Sequence, residues 1–182
     1  MILGIVGLNG AGKDTVAELL IKKGFKHYSL SDIIREKLTE QGKEINMDNL
    51  REMGGKLRKE NGTGILAQLT IKKIKKGDYV LTSIRNPGEV EALRKLPDFI
   101  LVHLDSSPEV RFERLKKRAK KGDEEFSSFE NFQKREEQNA DTDPNKLQTI
   151  FLLPLADCKL LNNGNLEELK QNLDKLLTQL NQ

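Results

Sequence analysis

Apolar residues along the chain follow two spacings, and each spacing predicts a different kind of element. Five short, nearly continuous apolar runs, each bounded by polar or turn-forming residues, predict buried strands. These runs cover residues 2–6, 25–29, 79–82, 99–104 and 158–161. The segments between the runs place apolar residues three or four positions apart, which is typical of helices with one apolar face. Alternating strands and helices predict a mostly parallel, five-stranded sheet with helices on both faces.

Turn-forming and capping residues set the expected ends of the helices. Ser31 and Asp32 precede one periodic segment and predict its start, and Asp48 is expected to cap the next helix. Pro87 lies near the expected start of a helix that covers residues 89–95. Further helices are expected over residues 65–74, 129–137 and 166–180.

Composition excludes several classes of site and partner. Cys158 is the only cysteine, so an internal disulfide and a cysteine-rich zinc site are excluded, and two histidines in apolar runs do not favour a metal site. The net charge of +3 is too small to indicate nucleic-acid binding. The chain has no apolar run near the roughly 18 residues of a membrane span and no visible secretory signal. We therefore expect a cytoplasmic protein without a nucleic-acid, membrane or protein partner.

The strongest chemical signal lies between the first strand and the first helix. This stretch reads Gly7-Leu8-Asn9-Gly10-Ala11-Gly12-Lys13-Asp14-Thr15 and fits the phosphate-binding pattern G-x-x-x-x-G-K. Its glycines let the backbone curl so that successive N–H groups converge on an anion, and the following helix adds its positive N-terminal end. We expect Lys13 to face the β- and γ-phosphates of a nucleoside triphosphate. The other expected contacts are Asn9, Gly10, Ala11, Gly12, Asp14 and Thr15.

Arginines that follow the strands supply the cations that phosphoryl transfer requires. The carboxyl ends of parallel strands meet in one crevice, so Arg35 and Arg85 are expected to converge on an anionic acceptor. Arg58, in a polar helical stretch, is a third candidate for the acceptor site. Arg114 and Arg118 lie four residues apart and therefore share one helical face.

The chain is expected to form a single domain over residues 1–182, because this length supports one sizeable core. Two polar helical stretches look like insertions that cover a nucleotide site. We predict an acceptor-binding insertion at about residues 31–76 and a lid at about residues 119–140. The core then comprises residues 1–30, 77–118 and 141–182.

Beyond these patterns, the chain resembles the adenylate kinase and nucleoside monophosphate kinase family. The phosphate loop is similar to the family's G-x-P-G-A-G-K-G-T loop, and Ser29-Leu30-Ser31-Asp32-Ile33-Ile34-Arg35 resembles its S-T-G-D-L-L-R segment. Leu81-Thr82-Ser83-Ile84-Arg85 resembles the strand-end D-G-[FI]-R form of related kinases. Arg114-Leu115-Lys116-Lys117-Arg118 resembles the R-x-x-x-R motif at the start of the lid. The resemblance implies a three-layer P-loop NTPase fold.

The resemblance also implies roles for the charged residues. The donor would be ATP with Mg²⁺, and Arg114 and Arg118 would neutralise phosphate charge during transfer. Arg35 would hold the acceptor phosphate, and Asp32 would either orient an acceptor hydroxyl or simply cap its helix. The candidate catalytic residues are thus Lys13, Asp32, Arg114 and Arg118, and the acceptor residues are Asp32, Arg35, Arg58 and Arg85. The segment with Asn162 and Gly164 is similar to the closing turn of dephospho-CoA kinases, which borders the adenine.

Two positions depart from the family pattern. Thr82 replaces the acidic residue that supports Mg²⁺ at the end of the third strand, and Asp14 stands where most relatives have Ser, Thr or Gly. We hypothesise that Asp14 takes over the support of Mg²⁺, directly or through water.

The function expected from the sequence is transfer of the γ-phosphoryl group of ATP to a nucleoside or deoxynucleoside monophosphate. The first alternative is a dephospho-CoA kinase, although the P-L-L-[FY]-E-type segment of that group is missing here. The second alternative is a nucleotide-binding switch or binding module without kinase activity, which the Thr82 substitution keeps open.

Overall fold

The computed structural model describes residues 1–118, 128–137, 143–146 and 148–181. This part of the chain contains five strands: β1 (Ile2–Val6), β2 (Lys26–Ser29), β3 (Tyr79–Thr82), β4 (Phe99–Asp105) and β5 (Cys158–Leu161). It also contains eight α-helices: α1 (Lys13–Lys22), α2 (Leu30–Glu40), α3 (Met47–Asn61), α4 (Ile65–Ile71), α5 (Pro87–Leu93), α6 (Pro108–Arg118), α7 (Phe129–Glu137) and α8 (Leu166–Leu180). A 3₁₀ helix, Thr149–Leu155, precedes β5.

All four strand pairings are parallel, and the strand order is β2-β3-β1-β4-β5. β1 lies in the centre, between β3 and β4, so the chain leaves β1 where the strand order reverses. Ligands of open α/β sheets bind in the crevice at such a switch point, beyond the carboxyl ends of the strands. The predicted five-stranded parallel sheet is confirmed, and its topology brings the loop after β1 beside the loops after β3 and β4.

Successive side chains of the strands point to opposite faces of the sheet and build two apolar layers. Along β1, Leu3 and Ile5 pack with α1 and α8, whereas Ile2 and Val6 pack with α2, α4 and α5. On β3, Val80 packs in the same layer as Leu3 and Ile5, and Leu81 packs in the opposite layer. The helices therefore cover both faces of a sheet whose central strand is buried throughout.

Three helix starts differ from the predicted ones, and in each case another residue supplies the cap. α2 follows β2 without a loop, so Ser29 is its N-cap and Asp32 lies in its first turn instead of preceding it. Asn46, not Asp48, caps α3 through its side chain, which accepts the N–H of Asn49 at 2.9 Å. Asn86 caps α5, which places Pro87 at the first helical position.

The two predicted insertions are described to different extents. The region of the first insertion forms α2, α3 and α4, which pack on one another and on the core. Of the predicted lid, residues 119–127 and 138–140 lie outside the described residues. α7 packs against α6 through Phe112, Phe129 and Phe132, whose ring centroids are 5.5–5.8 Å apart. Among the described helices, none is both long and apolar enough to cross a membrane.

Candidate active site

The phosphate loop connects β1 to α1 at the switch point of the sheet. Gly10 and Gly12 adopt positive φ angles of 80° and 97°, a backbone conformation that side chains with a Cβ disfavour. Gly12 is the N-cap of α1, so the helix begins at Lys13 with its first N–H groups free to meet an anion. The predicted phosphate-binding geometry is therefore present in the backbone itself.

Both glycines also lie against neighbouring parts of the chain. A Cβ on Gly10 would stand 2.7 Å from the carbonyl oxygen of Arg111, and a Cβ on Gly12 would stand 2.6 Å from Nδ2 of Asn162. Such distances are shorter than atomic contacts allow. The loop is thus held between α6 on one side and the turn after β5 on the other, and only glycine fits at these two positions.

Lys13 points back over the loop that it follows. Its ammonium donates hydrogen bonds to the carbonyl oxygens of Gly7 at 2.9 Å and Leu8 at 3.1 Å. Burial, and then the nearby charge of Arg85, lower the pKa of Lys13 to about 8, while Asp14 opposes this shift. The low pKa shows that the ammonium lies in a positively charged, partly dry environment in which an anion would be stabilised.

A cavity of about 230 Å³ opens in front of the loop. It is lined by Leu115 and Arg118 of α6, by Thr82, Ser83 and Arg85 at and after the end of β3, and by the loop residues Asn9, Gly10, Gly12, Lys13 and Asp14. Asp14 is exposed at this cavity, and Thr15 follows in the first turn of α1. The cavity therefore joins the loop to two of the predicted arginines, Arg85 and Arg118.

Arg85 contributes a guanidinium group without a partner in the described part of the chain. Its side chain is half-buried and makes no hydrogen bond or ion pair there, although its backbone is well anchored. Burial lowers the pKa of Arg85, and the charge of Glu89 partly opposes this effect. A half-buried cation that faces a cavity and has no partner among the residues described is suited to bind an anionic ligand.

Arg114 and Asn162 join the start of the predicted lid to the turn after β5. The Arg114 guanidinium donates to Oδ1 of Asn162 at 3.2 Å, to the carbonyl oxygen of Gly164 at 3.3 Å and to Oγ of Ser106 at 3.0 Å. Burial, and then the charge of Arg118, lower the pKa of Arg114. The residues predicted to border the donor base are therefore in mutual contact, beside the phosphate loop.

The predicted acceptor residues Arg35 and Asp32 lie on α2 and bind each other. Nη1 of Arg35 donates to Oδ1 of Asp32 at 3.1 Å and to Oγ of Ser31 at 2.6 Å. Oδ2 of Asp32 accepts the N–H of Ser29 at 3.3 Å, which is the capping role that the sequence left open. Both charged side chains are nearly half exposed, so either is free to meet a ligand.

Arg58 occupies a different place from the one expected of an acceptor ligand. Its side chain is 4% exposed and forms an ion pair with the fully buried Glu89, with Nη2 and Oε1 2.9 Å apart. Arg58 is not among the residues that line the cavity. Its charge is therefore directed to a partner inside the protein, because a buried guanidinium requires a counter-charge.

Hydroxyl groups at the ends of β2 and β3 were not identified from the sequence. Oγ of Ser29 lies 2.8 Å from Oγ of both Ser31 and Ser83, and Ser83 has a positive φ of 59°. Thr82 stands at the usual position of the acid, and its Oγ1 lies 2.8 Å from Nε2 of His27. In the sequence, only the position of these serines at the ends of two predicted strands indicated that they could meet.

Arg111 was also missed, because it stands in a strongly basic run that resembles a solvated helix face. It is instead 3% exposed and donates to the carbonyl oxygens of Ser106 at 3.0 Å and Asn9 at 3.3 Å. Its guanidinium also pairs with Glu136 of α7, with Nη2 and Oε2 2.7 Å apart. Arg111 thus connects α7 directly to the phosphate loop.

Comparisons with known proteins identify the family of the chain. A family model described as an AAA domain matches residues 3–142. A UPF0200 protein from Sulfurisphaera tokodaii is 33% identical over 180 residues, which are 98% of this chain and 97% of that protein. Another UPF0200 protein, from Hyperthermus butylicus, is 30% identical and covers 99% of this chain and 95% of its own length.

Solved structures share the fold at low sequence identity. Shikimate kinase from Acinetobacter baumannii, in complex with shikimate, has a TM-score of 0.58 at 16% identity and covers 98% of this chain and 93% of its own. TT1252 from Thermus thermophilus has a TM-score of 0.59 at 22% identity over 98% and 97% of the two chains. The three-layer α/β fold of P-loop kinases, predicted from the sequence, is confirmed. The chain belongs to the UPF0200 family, and its fold is that of an AAA-type P-loop NTPase domain.

Proposed function

We propose that this chain is an ATP-dependent kinase that transfers the γ-phosphoryl group to a nucleoside or deoxynucleoside monophosphate. The observation that carries the proposal is the guanidinium of Arg85, which has no partner among the described residues and lines the same cavity as Lys13. The cavity therefore offers cations from two directions, the phosphate loop on one side and the end of β3 on the other. A protein that only binds a nucleotide does not require this second cation, whereas a nucleotide hydrolase also uses an arginine against the γ-phosphate, so the dependence of ADP release on an acceptor separates transfer from hydrolysis.

Phosphoryl transfer at this site requires positioning and charge neutralisation rather than a covalent enzyme intermediate. The loop N–H groups and Lys13 hold the donor phosphates, and Arg118 reaches the cavity from α6 to meet the charge that develops during transfer. Arg114, bonded to Asn162 and to the carbonyl oxygen of Gly164, borders the donor base. These contacts match the donor half of a kinase site.

The acceptor half would lie at the carboxyl ends of β2 and β3. Arg85 lines the cavity from the loop after β3, whereas Arg35, bound to Asp32 and Ser31 on α2, is not among the cavity-lining residues and would have to turn towards the acceptor. Two guanidinium groups suit an acceptor that carries a phosphate, because planar N–H pairs match phosphate oxygens. Hydroxyl groups of Ser29 and Ser83 lie between the two strands and are available to polar groups of the acceptor.

Asp14 fits the role of supporting Mg²⁺. Its carboxylate is exposed at the cavity, one residue after Lys13, and Mg²⁺ is usually held by one or two carboxylates together with substrate phosphates and water. Thr82 offers only a hydroxyl at the usual position of the acid. Mg²⁺ would neutralise phosphate charge that this carboxylate would otherwise repel.

The proposal is tested by measuring ADP release from Mg-ATP with a panel of acceptors. The panel contains nucleoside monophosphates, deoxynucleoside monophosphates, dephospho-CoA and a sample without acceptor. We expect a monophosphate to stimulate release, and we expect Arg85→Met to reduce this stimulation at least about tenfold because a charge-assisted hydrogen bond is lost. Arg94→Met, which removes an ion pair with Asp157 outside the cavity, is the matched control. Stimulation by dephospho-CoA alone, or equal release without acceptor, would overturn the proposal.

A further inference from the structure

The Arg58–Glu89 ion pair is the most completely buried charged contact in the described part of the chain, with side chains that are 4% and 0% exposed. Oε1 of Glu89 accepts two hydrogen bonds from Arg58, from Nη2 at 2.9 Å and from Nε at 3.3 Å. Burying two charges is costly, and apolar residues of similar size are often as stabilising as the pair that they replace. Stability alone is therefore a weak reason for these charges to be here.

The other oxygen of Glu89 binds the backbone of the residue that faces the cavity. Oε2 accepts the N–H of Arg85 at 2.8 Å and the N–H of Asn86 at 3.2 Å. The carbonyl oxygen of Arg85 in turn accepts the N–H of Gln148 at 2.8 Å. Both backbone groups of Arg85 are thus anchored, the N–H by Glu89 and the carbonyl oxygen by Gln148.

Arg58 connects this arrangement to the acceptor side of the molecule. It lies on the last turn of α3, within the region predicted to bind the acceptor, whereas Glu89 lies in the first turn of α5 in the core. Gly54, one turn before Arg58, leaves the room that the guanidinium needs, because a Cβ there would lie 3.3 Å from Nη1 of Arg58. The pair therefore joins α3 to the loop that carries Arg85.

We propose that Arg58 and Glu89 are a positioning pair, which fixes the Arg85 guanidinium at the cavity and thereby sets the affinity for the anionic acceptor. Neither residue touches the ligand. Arg58 holds the Glu89 carboxylate in place, Glu89 holds the peptide of Arg85, and Arg85 meets the acceptor phosphate. This inference rests on the proposed function only in taking the anion at Arg85 to be part of the acceptor.

Two variants separate positioning from folding. Glu89→Gln keeps the size of the side chain and one carbonyl oxygen but removes the charge that Arg58 requires. The double variant Arg58→Met with Glu89→Met removes both charges, so neither is left buried without a partner, and it also removes the oxygen that accepts the Arg85 N–H. Arg94→Met removes a different ion pair of the same 2.9 Å length and is the matched control. Circular dichroism establishes that each variant is folded.

The experiment measures binding of inorganic phosphate to Mg-ADP-saturated protein by calorimetry. ADP fills the donor loop, so phosphate reports on the cations opposite it, and Arg85→Met identifies the site. We expect Arg85→Met to abolish phosphate binding and both Glu89 variants to weaken it about tenfold, while ADP affinity changes by less than about twofold. In turnover, the KM of the acceptor should rise while the KM of ATP stays unchanged. Arg94→Met should behave like the unmodified protein.

The inference is overturned if the Glu89 variants bind phosphate as tightly as the unmodified protein. It is equally overturned if phosphate does not bind, or binds independently of Arg85, because Arg85 then holds no anion. These outcomes are distinct from a failure of the proposed function, which is judged by acceptor-dependent ADP release. A protein that binds phosphate through Arg85 but releases ADP equally without acceptor retains the positioning pair and loses the kinase assignment.

Discussion

Asn162 donates a hydrogen bond of 2.7 Å from Nδ2 to the carbonyl oxygen of Ala11, a residue 151 positions earlier in the chain. This bond joins the turn after β5 to the phosphate loop. Through Oδ1 the same side chain accepts a hydrogen bond from Arg114. One buried amide therefore connects the phosphate loop, the turn after β5 and the helix that leads into the predicted lid.

Replacing Asn162 with Ala should weaken both the fold and donor binding. The Ala11 carbonyl oxygen would lose its shortest hydrogen bond inside the protein, which we expect to lower the free energy of unfolding by about 1–3 kcal/mol. Affinity for ADP should fall about tenfold, because the loop and Arg114 lose their shared partner. Urea unfolding and calorimetric titration measure the two effects. Asn172→Ala removes a similar but exposed hydrogen bond, of 3.2 Å to the carbonyl oxygen of Leu161. It should change neither the free energy of unfolding nor that of ADP binding by more than about 0.5 kcal/mol.

Gly12 and Gly24 allow the effect of packing to be separated from the effect of backbone conformation. Their φ angles are nearly equal, 97° and 94°, but a Cβ on Gly24 would meet nothing within 4 Å. Gly24→Ala should cost about 1 kcal/mol of stability, because Ala disfavours positive φ, and should leave ADP binding intact. Gly12→Ala should lower the stability by the same amount. Its Cβ should also clash with Asn162, so we expect no detectable ADP binding. Equal ADP affinity in the two variants would show that Gly12 does not shape the donor site.

The pKa of Lys13, lowered by burial and by Arg85 to about 8 from its ordinary 10.5, makes both stability and binding depend on pH. Below about pH 8, Lys13 is charged in the folded and the unfolded chain. Between about pH 8 and 10.5 only the unfolded chain keeps the proton, so this residue's contribution to the free energy of unfolding rises with pH in that window. A bound phosphate favours the charged ammonium, so donor affinity should fall as the pH rises through about 8.

Calorimetry in two buffers with different ionisation enthalpies checks this expectation. At a pH of about 8.5, ADP binding should take up protons, and the observed enthalpy should differ between the buffers. Lys13→Arg should abolish the part of this proton uptake that belongs to Lys13, because a guanidinium stays charged at this pH. Identical proton uptake in the two proteins would assign it to another group.

Substitution of Asp14 tests the support of Mg²⁺. We expect Asp14→Asn to raise the Mg²⁺ concentration for half-maximal turnover about tenfold, because the only carboxylate among the described cavity-lining residues is lost. A second substitution, Thr82→Asp, restores an acid at the end of β3 and should recover part of this loss. An unchanged Mg²⁺ requirement in Asp14→Asn would show that Asp14 has no part in holding the ion.

The sequence predicted the parts of the fold that local patterns determine. β1 and β3 have the predicted bounds, as do α7 and α8, because each is a short apolar run or a periodic segment between turn residues. The phosphate loop was equally clear, since its glycines and its lysine stand at a fixed spacing between a strand and a helix. Helix starts were less accurate, because several capping residues stood close together and only the three-dimensional structure decides between Asn46 and Asp48.

Partnerships between distant residues could not be predicted in this way. Arg58 and Arg85 were both predicted to bind the acceptor, yet one is paired with Glu89 and the other faces the cavity. Arg111 lies in a basic run, but packing against α7 buries it and gives it Glu136 as a partner. Which of several similar charges remains free depends on contacts between segments many residues apart, and a single sequence does not record those contacts.

We propose above all that the chain transfers a phosphoryl group to a small acceptor. The most direct measurement follows the γ-phosphoryl label of ATP in the presence and absence of a nucleoside monophosphate. We expect the label to appear in the nucleoside diphosphate product, this transfer to depend on Lys13 and Arg85, and Arg94→Met to leave it unchanged. Label that appears only in inorganic phosphate, at the same rate with and without the acceptor, would contradict it.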